Sequence, residues 1–321
     1  MAEIIGTDKA LERALALLGA GEVVAIPTET VYGLAGDATA AVAKSFEAKG
    51  RPRFHPLIAH VADMAMAQAI ATFDPLSRRL AETFWPGPLT LVLPLNADAG
   101  IHPLVTAGLD TVALRMPQGF GGKLIAALGR PLAAPSANSS GRISATTAQA
   151  VAVDLGQRIP LVVDGGQTPV GLESTIVRAD GGALHLLRPG GIAAEDIEAV
   201  AGVPLIRGAA AGIQAPGMLA SHYAPRAEMR LGANEVRHGE AFLAFGPLVV
   251  NTGKATSVLN LSESSDLREA AANLFSHLQA LDRSGAKTIA VAPIPPHGLG
   301  EAINDRLVRA AAPRDIPLQP K

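Results

Sequence analysis

The chain predicts an α/β fold built on a sheet of mixed direction. Three observations predict it. Short apolar runs of strand length alternate with longer stretches of helical period. Residues 111–116 alternate cleanly, with Val112, Leu114 and Met116 facing one way and Thr111, Ala113 and Arg115 the other. Asp180-Gly181-Gly182 separates two strand-like runs by a hairpin turn, so the strands cannot all be parallel.

Taken in order, Thr7 is placed to cap a helix running to about residue 20. Leu11, Leu15 and Leu18 share one face of it, and Gly19 and Gly21 lie near its end. Val23 to Ile26 is a short, wholly apolar strand. Residues 39–49 read as a helix that Gly50 stops. Pro27 to Leu34, between them, reads as a hydroxyl-rich turn leaving a buried strand. Asp74-Pro75 opens another helix with Leu76, Leu80 and Phe84 on one side. Trp85-Pro86-Gly87-Pro88 is a turn, and residues 89–95 are a strand. Further strands are expected near 131–134, 159–163, 174–179 and 183–188.

Residues 202–225 are rich in Gly, Ala and Pro and lack periodicity, as a linker does. The pattern then restarts. Strands are expected near 241–245 and 288–293, with helices near 265–283 and 299–311, as in a small Rossmann-like α/β domain. The predicted division is therefore a domain over 1–201, a linker over 202–225 and a domain over 226–321.

Composition narrows the function. The 321 residues are 48% hydrophobic and 17% charged, with a formal net charge of −2. A general nucleic-acid or membrane-surface binder would be basic, so a polyanion must be met by a local cluster. Aromatic residues at 3% argue against a stacking platform for single strands. There is no cysteine, which removes disulfides, thiolate catalysis and cysteine-held zinc. The N-terminus carries acidic residues and no long apolar core, and no apolar run approaches a membrane span. A cytoplasmic protein is the expectation.

Lys49-Gly50-Arg51-Pro52 aims two cations from a Gly/Pro-framed turn at a helix end. Lysine there complements the helix dipole, but a second cation gains little structurally, and arginine suits bidentate phosphate contacts. Arg115 is an arginine on an otherwise apolar strand. It needs a carboxylate, from the protein or from a ligand. Ser136 and Asn138 follow the apolar Leu132-Ala133-Ala134, at a strand end where α/β proteins place ligand groups. No base is visible for Ser136 and no G-x-S-x-G surrounds it, so hydrogen bonding is its role. Thr28 and Thr30 also suit simple turn satisfaction, and His60 alone reads as an ordinary packed histidine. Glu173-Ser174-Thr175 opens a strand, and Arg188 ends one. The segment 119–123 (GFGGK) lacks the spacing of a phosphate loop, and no H-x-x-x-H pair is present.

In chain order the sequence carries PTETVYGL, KGRPxxxPL with the trailing His60, WPGPLTLVL, TVALRMP, APSAN, ESTIV and LLRPG. From about residue 4 to 200 this resembles the YrdC/Sua family of threonylcarbamoyl-AMP synthases. Pro216-Gly217-Met218 with His222-Tyr223-Ala224-Pro225 resembles the longer, two-domain Sua type. The resemblance implies a YrdC-like twisted mixed sheet with helices around a concave site. It implies that L-threonine, bicarbonate or CO2, and ATP give L-threonylcarbamoyl-AMP and pyrophosphate, feeding the machinery that modifies an adenosine of tRNA.

By the same resemblance Thr30, His60, Arg115, Ser174 and the Ala134 backbone hold threonine. Lys49, Arg51, His55, Thr111, Ser136, Asn138, Ser144 and Arg188 hold the nucleotide, with Lys49 and Arg51 stabilising charge at the phosphates. Mg²⁺ is expected with ATP, without a dedicated carboxylate cage. One departure stands out: Leu219-Ala220-Ser221 replaces the bulkier residues the family often carries, leaving Tyr223 as the nearest aromatic cover. The linker is expected to close over the site and exclude water. Two other readings compete. A concave basic site for structured RNA is disfavoured by net charge and scarce aromatics, which leaves direct tRNA binding open. Carbamoyl transfer in hydrogenase maturation requires cysteine zinc fingers that this chain lacks.

Overall fold

The computed structural model describes residues 1–40, 42–52, 55–208, 215–216 and 221–313. They form two compact units, Met1–Ser140 with Ser144–Met218, and Gly141–Ile143 with Leu219–Lys321.

The first unit is organised by one sheet. Its strands are β1 (Glu3–Gly6), β2 (Val24–Ile26), β3 (Gly33–Asp37), β4 (Ile58–His60), β5 (Leu89–Pro94), β6 (Thr111–Arg115), β7 (Leu132–Ala133), β8 (Leu161–Asp164), β9 (Thr175–Asp180), β10 (Ala183–Arg188) and β11 (Leu205–Arg207). Among the described residues the order is β1-β8-β2-β3-β7-β4-β6-β5-β9-β10-β11. Parallel pairs such as β4–β6 and β5–β9 alternate with antiparallel ones such as β5–β6 and β9–β10. The mixed sheet and the hairpin at Asp180 both follow the sequence reading.

Side-chain alternation gives the two faces of this sheet different jobs. Leu91, Leu93, Val112, Leu114, Met116 and Val177 enter the largest core, with Leu80 and Ala81 of the helix Pro75–Phe84 and Ile197 of the helix Ala194–Ala201. On the other face Ile58, Val92, Ala113 and Ile176 form a smaller apolar floor that Ala215 covers. His60, Arg115 and Ser174 flank the floor residues at alternate positions or strand ends, so polar groups border an apolar patch. The other half of the sheet is buried on both faces. Helices Ala10–Gly19 and Phe120–Leu128 cover one side and Ala148–Leu155 the other, which is why Val162 and Val163 can both be apolar.

Several local expectations change. The first helix starts at Ala10 and no side chain caps it, so Thr7 is not its cap. The helix expected over 39–49 is Ala43–Lys49, because Asp37 accepts the Thr39 amide and hydroxyl and commits that stretch to a turn. Gly50 does end this helix, in the left-handed conformation (φ 60°) that glycine adopts without penalty. Gly33–Asp37 is strand β3 rather than the tail of a turn. Leu205–Arg207, placed in the linker by composition, pairs with β10 as the sheet's edge strand. Residues 209–214 and 217–220, on which the expected closing of the linker rests, lie outside the described residues.

The second unit has a parallel sheet of β12 (Glu228–Arg230), β13 (Ala241–Ala244), β14 (Ser257–Asn260) and β15 (Thr288–Val291), in the order β12-β15-β13-β14. The helix Leu267–Arg283 is capped by Asp266, which accepts the Arg268 amide at 2.7 Å. Tyr223 is anchored in this unit. Its ring stacks on Phe275 at 5.5 Å, and the Arg306 guanidinium lies 5.2 Å from its centre.

Candidate active site

Two buried cations define the two ends of the site. Lys49 closes the helix Ala43–Lys49 and is 3% exposed. Its Nζ donates to the Ser136 carbonyl at 2.5 Å and to the Asn138 carbonyl, and its own carbonyl accepts from the Ser140 amide at 2.9 Å. The Lys-Gly-Arg-Pro turn and the Pro-Ser-Ala-Asn loop are thereby one structure. A further residue fixes that loop. Asp154 accepts the Ser139 amide at 2.7 Å and the Ser139 hydroxyl, and Arg158 donates to both side chains.

Burial holds the Lys49 amine well below the ordinary lysine range, and the nearby Arg51 charge adds to the effect. Arg51 is half-buried, and its Nη2 donates to the Pro56 carbonyl at 3.2 Å. His55 is buried, and desolvation followed by the Arg51 charge lowers its pKa to about 4. Both histidines of this region, His55 and His60, are therefore neutral near pH 7.

At the other end Arg115 projects from the end of β6 and is 4% exposed. Nε donates to the Gly87 carbonyl at 3.2 Å and Nη1 to the Thr30 hydroxyl at 2.9 Å. Nη2 lies 2.7 Å from Oε1 of Glu29. Thr28 and Thr30 share a hydrogen bond of 2.8 Å, and the Thr28 hydroxyl also reaches the Val31 carbonyl. His60 faces Arg115 across β4–β6 in register. Burial first, then the Arg115 charge, lowers its pKa to about 3. Alternation on β6 is thus as the sequence predicted, and the carboxylate that Arg115 required is one of the protein's own.

Backbone bonds lace these ends together. The Tyr32 amide donates to the Ala145 carbonyl at 2.9 Å, and the Tyr32 carbonyl accepts from Ala137 at 2.7 Å. Residues 28–34 therefore run between the loops that carry Ser136 and Ser144. Ala134, at the end of β7, donates its amide to the Ile58 carbonyl at 3.3 Å. Ser144 is fully buried, and its hydroxyl donates to Glu173 Oε1 at 2.5 Å. Ser174 bonds Thr90 through their hydroxyls at 2.7 Å, while Arg188 donates to its carbonyl at 2.8 Å and its hydroxyl at 3.2 Å. Gly190 makes this approach possible, since a Cβ there would stand 2.4 Å from the Glu173 carbonyl oxygen. Arg188 also reaches the Pro216 carbonyl at 3.3 Å.

Thr111 lies at the opposite end of β6 from Arg115. It begins β6 opposite Pro94, on the Arg115 face but four residues away, about 13 Å along a strand. Among the described residues no three His, Asp or Glu side chains gather in a way that could hold a metal ion. Among them, too, no helix is long and apolar enough to cross a membrane.

A family model described as "Telomere recombination" matches residues 16–190, and one described as "Threonylcarbamoyl-AMP synthase, C-terminal domain" matches residues 192–312. A threonylcarbamoyl-AMP synthase of Bacillus subtilis is 41% identical over 334 residues, covering 98% of this chain and 96% of the relative.

The chain belongs to the two-domain threonylcarbamoyl-AMP synthases.

The crystal structure of Pyrococcus abyssi Sua5 with L-threonine bound matches with a TM-score of 0.87 and 36% identity, covering 97% of this chain and 98% of that one. For a synthase of this family, the sequence reading missed two buried carboxylates, Glu29 and Glu173, and the loop clamp Asp154. The signal for Glu29 was Arg115 itself, a cation that a packed strand cannot carry unpaired. Asp154 gave no signal, because an aspartate on a helix face reads as solvated.

Proposed function

We propose that this chain makes L-threonylcarbamoyl-AMP and pyrophosphate from L-threonine, bicarbonate or CO2, and ATP, on the polar border of the apolar floor. The observation that carries the reading is the bonding of Lys49 Nζ to the Ser136 and Asn138 carbonyls. It joins the cationic turn and the polar loop that the nucleotide needs, from positions far apart in the chain.

Arg115 takes the threonine carboxylate, with the Thr30 and Ser174 hydroxyls, the Ala134 backbone and a neutral His60 around the amino acid. Threonine gives up two ammonium protons as its nitrogen bonds the carbon of CO2. When bicarbonate is the source, one of them forms water with the hydroxide that bicarbonate loses. The carbamate oxygen then attacks the α-phosphate, the bond from that phosphorus to the β-bridging oxygen breaks, and pyrophosphate leaves. No covalent enzyme intermediate is needed, so catalysis rests on positioning and on charge.

Arg51, Ser136, Asn138, Ser144, Arg188, His55 and Thr111 line the nucleotide path, and Lys49 with Arg51 neutralises the phosphates. Burial acts against the charge on the Lys49 amine, and a polyphosphate beside it favours the protonated form. Mg²⁺ accompanying ATP would be held by phosphate oxygens and water, and would screen the leaving group. The product, a mixed anhydride, is consumed by a reaction that transfers the threonylcarbamoyl group to an adenosine of tRNA. A cytoplasmic location belongs to the same reading.

The test is direct. Purified protein given ATP, L-threonine and labelled bicarbonate is expected to release pyrophosphate only when threonine is present, and to build the label into an adenylated product. Threonine-independent release of pyrophosphate, or an unlabelled product, contradicts the proposal.

A further inference from the structure

We infer that Glu29 makes the Arg115 pocket selective for a zwitterion, its carboxylate facing the α-ammonium of the amino acid whose carboxylate Arg115 binds. The inference rests on the proposed placement of threonine at Arg115. It adds a specificity-determining residue that the motifs did not single out.

Glu29 is almost as buried as Arg115, at 7% and 4% exposure. Its Oε2 is committed to the protein and accepts the Gln118 amide at 3.1 Å. Oε1 is different. It stands 2.7 Å from Arg115 Nη2, but the two groups are not aligned as a hydrogen bond, and among the described residues neither atom has another hydrogen-bond partner. A buried carboxylate oxygen with unused acceptor capacity is costly to keep. It therefore sits beside the guanidinium ready to take a donor that the described residues do not supply.

The charge balance points to that donor. Glu29 and Arg115 are together neutral, and their neighbours Thr28, Thr30 and neutral His60 add no charge. A simple carboxylate entering here would gain Arg115 and be repelled by Glu29 at nearly the same distance. An α-amino acid carries both charges on one carbon, so it can meet both members of the pair at once. The repulsion against the first ligand and the attraction for the second are the two halves of one discrimination.

Calorimetric titration of the full chain with L-threonine and with 3-hydroxybutyrate, which lacks the ammonium, tests this. Glu29→Gln is expected to weaken threonine at least about tenfold and to strengthen 3-hydroxybutyrate, shifting the preference by about 100-fold. Glu29→Asp keeps the charge in a shorter side chain. It is expected to lower threonine affinity while leaving 3-hydroxybutyrate unchanged, and it stands in if Glu29→Gln does not fold. Parallel weakening of both ligands in both variants would reduce Glu29 to a brace for Arg115 and overturn the inference. The underlying reading fails with a different signature: Arg115→Ala that leaves threonine affinity intact would move the amino acid elsewhere.

Discussion

Lys49 and Arg115 are equally buried and differently held. Lys49 is gripped by two backbone carbonyls, and Arg115 is set against a carboxylate. Carbonyl dipoles orient an amine without cancelling its charge, so burial acts against the charged form and a polyanion relieves the cost. A carboxylate at contact distance cancels the charge, and such a pair suits a ligand that is itself neutral overall. On the proposed reading, the two ends of the site are tuned to a triphosphate and to an amino acid by the way each cation is buried.

Breaking the phosphate end is expected to have the largest effect. Arg51→Ala should slow threonine-dependent pyrophosphate release by about 10²–10³-fold, the scale of one lost charge-stabilising group. A loss below about threefold in steady-state rates would remove Arg51 from the mechanism. Breaking the amino-acid end should show mainly in binding. Arg115→Ala is expected to raise the KM for threonine by about 10–100-fold with little change in the KM for ATP. An effect confined to ATP would mean the two ends are exchanged.

Smaller changes sharpen the contrast. Asp154→Asn loosens the loop whose carbonyls hold Lys49, and about a three- to tenfold drop in kcat/KM for ATP is expected. The KM for threonine should stay level, and a change there would show that the loop serves both ends. Because burial lowers the Lys49 pKa and a polyphosphate opposes that, net proton uptake is expected when ATP binds. Calorimetry in buffers of different ionisation enthalpy reads this directly, and buffer-independent heats would contradict it.

Stability supplies the last test. His55 and His60 have folded pKa values of about 4 and about 3, below the ordinary 6.5. Below pH 6.5 the unfolded chain binds protons that the folded chain does not. Stability is therefore expected to fall as pH drops from about 6.5 to 4 for His55 and on to about 3 for His60, and to be insensitive to these groups above pH 6.5. His60→Gln should flatten the acid limb of a plot of Tm against pH, and an unchanged limb would show that His60 is not held neutral.

The sequence made some of this legible and hid the rest for physical reasons. Alternation on residues 111–116 placed Arg115 opposite a packed face, because a strand leaves no other choice. Lys49, Ser136 and Asn138 were chosen from local chemistry, and the fold does bring them together. Strand β3 was missed because Gly-Leu-Ala-Gly-Asp has no β-branched residue, and its pairing with β2 and β7 decides its state. The helix Ala43–Lys49 was overextended because helical periodicity cannot show Asp37 capturing Thr39. Leu205–Arg207 lay in a Gly- and Ala-rich stretch whose order comes from β10. Glu29 and Asp154 act on partners 86 and 15 positions away along the chain, distances at which local pattern carries no information.

The most direct test of the two-ended site is a crossed titration of Lys49→Ala and Arg115→Ala with L-threonine and with a non-hydrolysable ATP analogue. Each variant is expected to lose one ligand and keep the other, Lys49→Ala losing the nucleotide and Arg115→Ala the amino acid. Both ligands weakening together in both variants, or the losses appearing the other way round, would contradict it.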